Sequence, residues 1–130
     1  MVRLEVQTHQ RSELLDITEA VQDIVQQSGV REGLATIFIP HTTAGGTINE
    51  NADPDVRSDM LESLEQMVPW AQPHFRHAEG NSAAHLKASL MGFSQNVLVA
   101  GGKLALGTWQ GIYLCEFDGP RRRQVWVQVR

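Results

Sequence analysis

Only one cysteine occurs among the 130 residues, Cys115. That excludes an internal disulfide and a cysteine-cluster zinc site, and its place in an apolar alternating run marks it as a buried packing residue. Positive charge is also in short supply. A formal net charge of -4 leaves no broad basic face for a nucleic-acid backbone. No apolar run approaches a membrane span, and the opening "MVRLEVQTHQ" has no apolar stretch of the signal-peptide kind. Repeats, low-complexity tracts and long linkers are absent, so residues 1–130 read as a single domain. With 42% hydrophobic and 20% charged residues the composition is that of a folded globular chain. The expectation is a soluble cytoplasmic protein with no nucleic-acid and no membrane partner.

What is present is periodicity. "VRLEVQTH" alternates Val2, Leu4 and Val6 against polar residues, the pattern of a half-buried strand. In "DITEAVQDIVQQSG", Ile17, Ala20, Val21, Ile24 and Val25 share one helical face. Asp16 and Glu19 resemble a capping box there, and Gly29 suits the left-handed residue that ends a helix. "LATIFIP" reads as a buried strand stopped by Pro40, and "GGTINEN" as a strand whose glycines permit close backbone approach. "DPDVRSDMLESLEQMVP" is a well-marked helix, with Asp53 as cap, Pro54 in the first position and Asp55 in the first turn. Val56, Met60, Leu61, Leu64, Met67 and Val68 form its expected buried stripe. "SAAHLKASLMG" reads as a short helix capped by Ser82, with Leu86 and Leu90 facing in. The strands "NVLVA", "KLALGTW", "GIYLCEF" and "RQVWVQVR" follow, the last two joined by "DGPRR". This order predicts an α+β fold on a largely antiparallel sheet, with two longer helices and one short one.

The polar residues suggest chemistry less directly. Of five histidines, His41 lies past a strand end, His77 in a loop and His85 on the short helix. Three imidazoles with an open fourth position can hold a catalytic zinc, although this spacing matches no local signature such as HExxH. The plain alternative is that each is a surface or packing residue. Glu50 closes a strand just before a helix N-terminus, a place for a magnesium ligand or general base, or simply a solvated edge residue. Asn49 and Asn51 share the opposite strand face. Lys103 and the run Arg121, Arg122 and Arg123 could gather phosphate oxygens, or could serve as a basic hairpin tip that keeps an edge soluble. An anion is expected at the N-terminus of the short helix near Ala83, because Asp53 and Asp55 repel it from the longer one.

The motifs "HTTAGGTINENADPDVRSDM", "HAEGNSAAHLKASLMG", "KLALGTWQGIYLCEFDGPR" and the ending "VWVQV" resemble the secondary thiamine-phosphate synthases, across nearly the whole chain. The resemblance implies a homotrimer with sheets packed around its threefold axis and a metal-associated pocket. In that pocket His41, His77 and His85 would hold one divalent metal, zinc, with magnesium the alternative for a diphosphate substrate. The implied reaction joins a pyrimidine-methyl diphosphate to a thiazole phosphate and releases diphosphate. Glu50, His41 and Lys87 would be its catalytic groups. Asn49, Asn51, Trp109, Lys103 and Arg121 would bind the small phosphorylated metabolite. Two other readings stand beside it: a metal-dependent hydrolase of a small phosphorylated or amide substrate, and a non-catalytic trimer that binds such a metabolite.

Overall fold

Every strand pair in the protein is antiparallel. The computed structural model describes residues 1–130 as eight strands and three helices. In the larger sheet β8 (Arg122–Val129) is an interior strand, flanked by β1 (Val2–Gln7) at the edge and β3 (Gly33–Phe38) at the centre. Beyond β3 come β5 (Ser94–Ala100) and the two-residue β6 (Lys103–Leu104). In the smaller sheet, β7 (Gln110–Glu116) lies between β2 (Glu13–Asp16) and β4 (Ala44–Glu50).

Alternation along β7 builds two cores at once. Ile112 and Leu114 join Ile37, Val125 and Val127 of the larger sheet and Val21 and Val25 of helix α1 (Thr18–Ser28). Tyr113 and Cys115 join Leu64 of helix α2 (Pro54–Met67) and Ala84 and Ala88 of helix α3 (Ser82–Met91). The result is the single antiparallel α+β domain with three helices that periodicity predicted, but its strands divide between two sheets where one was expected. No helix is long and apolar enough to cross a membrane.

Several local expectations are corrected. Glu13–Asp16 is a strand, β2, which four residues were too few to announce. Asp16 closes that strand, and its carboxylate accepts from Thr18 N at 2.9 Å and Thr18 Oγ1 at 2.5 Å instead of forming a capping box. Gly29 does end α1 in the left-handed region, at φ 72°. Asp53 caps α2 by accepting from Asp55 N, but of the expected stripe only Leu64 and Val68 are buried, and Met67 is exposed. The cap residue of α3 is Asn81, not Ser82. Leu86 and Leu90 point outward, while Ala83, Ala84, Lys87 and Ala88 are buried. The reason is closeness. A Cβ on Gly45 of β4 would fall 2.7 Å from Gly92 O and 2.9 Å from Ala88 O, so only the small-residue side of α3 fits against the strand. "KLALGTW" forms just the two residues of β6.

Candidate functional site

The chain leaves β3 through Ile39 and Pro40 and reaches His41. Continuing the β3–β8 register, in which Phe38 faces Trp126, would set Pro40 opposite Gln124. His41 takes up the donor there: Gln124 N–H donates to His41 Nε2 at 2.9 Å. Two residues on, Thr43 Oγ1 accepts from Arg123 at 2.8 Å. Arg123 and Glu116 form a buried ion pair, with Arg123 Nε donating to Glu116 Oε1 at 2.8 Å. Glu116 is satisfied further by Thr8 Oγ1–H at 2.8 Å and by the N–H groups of Phe117 and Asp118. The buried carboxylate thus has a donor at each of its oxygens, and the arginine has its countercharge in contact.

Asp118 extends the network to the surface. Its Oδ2 accepts from Asn81 Nδ2 at 2.8 Å and from Arg121 at 3.0 Å, and its carbonyl accepts from Arg121 Nε. Asn81 begins α3, whose N-terminus no side chain caps. One turn along α3, the His85 ring meets His77 edge-on, with centroids 5.6 Å apart, and His77 Nε2 lies 3.9 Å from Glu79 Oε1. These groups surround a cavity of about 450 Å³ that no hydrophobic residue lines.

Burial, then the Arg123 charge, holds the His41 pKa below its ordinary 6.5. The hydrogen bond agrees. A backbone N–H can only donate, so Nε2 must keep its lone pair, and the neutral ring carries its proton on Nδ1.

Of the residues singled out from sequence, His41, His77, His85, Arg121 and Arg123 line this one cavity. As arranged, the three histidines do not fit an ion: the lone pair of His41 is engaged by Gln124, and no three His, Cys, Asp or Glu side chains are grouped to hold a metal. Glu50, Asn49, Asn51 and Trp109 lie elsewhere. Glu50 closes β4 while Ala44 opens it beside the cavity, and six rises of roughly 3.3 Å separate them by about 20 Å. There Glu50 accepts from Ala52 N, Asn49 Oδ1 accepts from Glu50 N, and Trp109 O accepts from Asn51 N. Lys87 is buried on α3 and paired with Glu65 of α2 at 2.5 Å, so its ammonium is already neutralised. Lys103 lines a separate cavity of about 320 Å³ beside Arg31.

Sequence reasoning missed Thr43, Glu79, Asn81, Glu116, Asp118 and, as a buried group, Arg123. One signal was available: Glu116 sits inside an otherwise apolar alternating run, where a carboxylate needs a buried partner.

The family described as "UPF0047 protein YjbQ-like" matches residues 2–130. The UPF0047 protein YugU of Bacillus subtilis is 53% identical over 97% of this chain and 96% of its own length. A UPF0047 protein of Methanocaldococcus jannaschii is 48% identical, covering 99% of this chain and 93% of its own. Among solved structures, an uncharacterised conserved protein of the YjbQ/UPF0047 family from Clostridium acetobutylicum superposes with a TM-score of 0.98 at 52% identity, over 100% of both chains. A conserved hypothetical protein from Thermus thermophilus gives 0.93 at 45%, again over 100% of both. None of these relatives is described as a thiamine-phosphate synthase, and that expectation is corrected. The structure also removes its residue basis, since Lys87 is buried in an ion pair and Trp109, Asn49 and Asn51 stand far from the histidines. The chain belongs to the YjbQ-like UPF0047 family.

Proposed function

We propose that the protein binds a small phosphorylated metabolite in the polar cavity beside α3. The observation that carries this reading is a cavity of about 450 Å³ with no hydrophobic lining residue, in which Arg121, three histidines and the start of α3 meet. Free N–H groups and the positive end of the helix dipole favour an oxyanion there, and Arg121 can turn part of its fork outward from Asp118. Net charge contributes little. Arg123 is neutralised by Glu116 and Arg121 shares Asp118, so directed hydrogen bonds carry the attraction.

Calorimetric titration with inorganic phosphate, pyrophosphate and simple phosphate monoesters tests this reading. Saturable binding that Arg121→Ala weakens by about tenfold, the worth of one charge-assisted bond, is expected. Binding that is absent, or indifferent to Arg121→Ala and His85→Ala alike, overturns it.

One arrangement favours a second reading, hydrolysis of such an ester. His77, with Glu79 at 3.9 Å and His85 against its ring, has the make-up of an acid–base group. Phosphate release, measured with and without added zinc or magnesium, decides between turnover and binding alone. Self-association belongs to the same proposal. Phe38 and Leu98, both exposed, stand on the outer face of the larger sheet, and a light-scattering mass of one chain would count against a homotrimer.

A further inference from the structure

The geometry points to His41 as a fixed hydrogen-bond donor that reads an unprotonated oxyanion oxygen through Nδ1–H, and that stays outside any metal's coordination sphere while Gln124 holds Nε2. This rests on the reading that the cavity takes a phosphorylated ligand, and it specifies how one wall recognises it.

The argument starts at the end of a strand. The β3–β8 ladder stops at Phe38–Trp126, and continued two residues further it would set Pro40 opposite Gln124. Pairing has ended before that point, so the N–H of Gln124 has no strand carbonyl to donate to and needs another acceptor. The His41 imidazole replaces the missing carbonyl, at 2.9 Å. Because the donor is a main-chain amide, the location of the ring proton follows from heavy atoms alone. Turning the ring over would set a carbon against that N–H and leave the amide unsatisfied.

Neutral imidazole has one nitrogen with a lone pair and one with a proton. With Nε2 engaged, the nitrogen remaining for a ligand is a donor only. A metal ion at Nδ1 would require a ring with no proton on either nitrogen, or loss of the Gln124 bond. An oxyanion oxygen requires neither. The side of the ring facing away from Gln124 therefore matches a ligand that accepts hydrogen bonds, as do the start of α3 and Arg121. Behind it, Thr43, Arg123 and Glu116 fix both the segment that carries His41 and the strand that carries Gln124. The ring is thus held by the Gln124 bond and by the anchored segment that carries it.

Long-range ¹H–¹⁵N spectra of histidine-labelled protein near neutral pH decide the tautomer without any ligand or variant. The expected pattern is Nδ1–H for His41, opposite to the form that free histidine prefers. The pattern of Nε2–H overturns the inference. Adding zinc should leave the His41 nitrogens unshifted, and a zinc-induced shift at Nε2 also overturns it.

A second arm uses inorganic phosphate. His41→Asn places an amide near the Nδ1 position, whereas His41→Gln places one near Nε2. Phosphate affinity should stay within about threefold in His41→Asn and fall about tenfold or more in His41→Gln, the worth of one directed hydrogen bond. Equal losses in the two folded variants overturn the donor role. If wild-type protein binds no phosphate, the proposed function fails, while the spectra still decide the tautomer.

Discussion

Arg123 and Glu116 face one another across the turn between β7 and β8, both buried, and the carboxylate also accepts from Thr8, Phe117 and Asp118. Removing one charge strands the other in a site that water cannot reach. Glu116→Gln should therefore lower the unfolding free energy by about 3–5 kcal/mol in urea titration. Arg122, next in sequence and exposed, lies 3.9 Å from Glu5, and Arg122→Ala should change stability by less than about 0.5 kcal/mol. Equal effects of the two substitutions would show that the buried pair contributes nothing particular.

Stability should depend on pH through His41. Its folded-state pKa lies below the ordinary 6.5 because of burial and Arg123. In the window between the two values the unfolded chain binds the proton that the native ring refuses. The contribution is thus complete above about 6.5 and is lost as pH falls from there toward the folded value. Thermal melts at pH 7.5, 6.5 and 5.5 should show a decline that His41→Gln makes shallower.

The polar residues divide into two groups at opposite ends of β4, and substitutions should follow that division. Glu50→Gln and Trp109→Ala should leave phosphate affinity within about twofold, being about 20 Å from the cavity. Arg121→Ala should weaken it about tenfold. Calorimetry on the three variants checks this, and a large loss in Glu50→Gln would place the ligand at the other end.

Much of the fold could be read from periodicity because burial repeats with secondary structure: α1, α2 and the long strands follow directly. The inward face of α3 could not. Its apolar Leu86 and Leu90 look like core residues, yet packing on Gly45 demands small side chains, and no sequence window contains both partners. Cys115 was legible as a buried thiol, and burial pushes its pKa up to about 12. The cavity was half legible. Its histidines stood out as residue types, but the Glu116–Arg123 pair depends on a turn that carries the chain from β7 in one sheet to β8 in the other, and the tautomer of His41 depends on a strand distant in sequence.

Gly45→Ala tests that packing. The added methyl would lie 2.7 Å from Gly92 O and 2.9 Å from Ala88 O, so α3 must retreat from β4. A loss of about 1–3 kcal/mol is expected from such overpacking. Phosphate affinity should fall with it, because Asn81 and His85 travel with α3 while His41 does not. Unchanged melting temperature and affinity together would mean that the contact is not tight in solution.

The bond between His41 and Gln124 has a consequence for exchange of the main-chain proton that it protects. Gln124 belongs to β8, whose neighbours Arg123 and Val125 are buried in the ion pair and in the larger core. For that proton to reach solvent, either the imidazole swings away or β8, an interior strand of the sheet, comes apart. The first opening involves one side chain, and the second costs the stability of the whole domain. The exchange rate at this single amide thus separates motion of the cavity wall from unfolding of the protein, and a ligand held by the ring slows the first directly and the second only by what its binding adds to global stability.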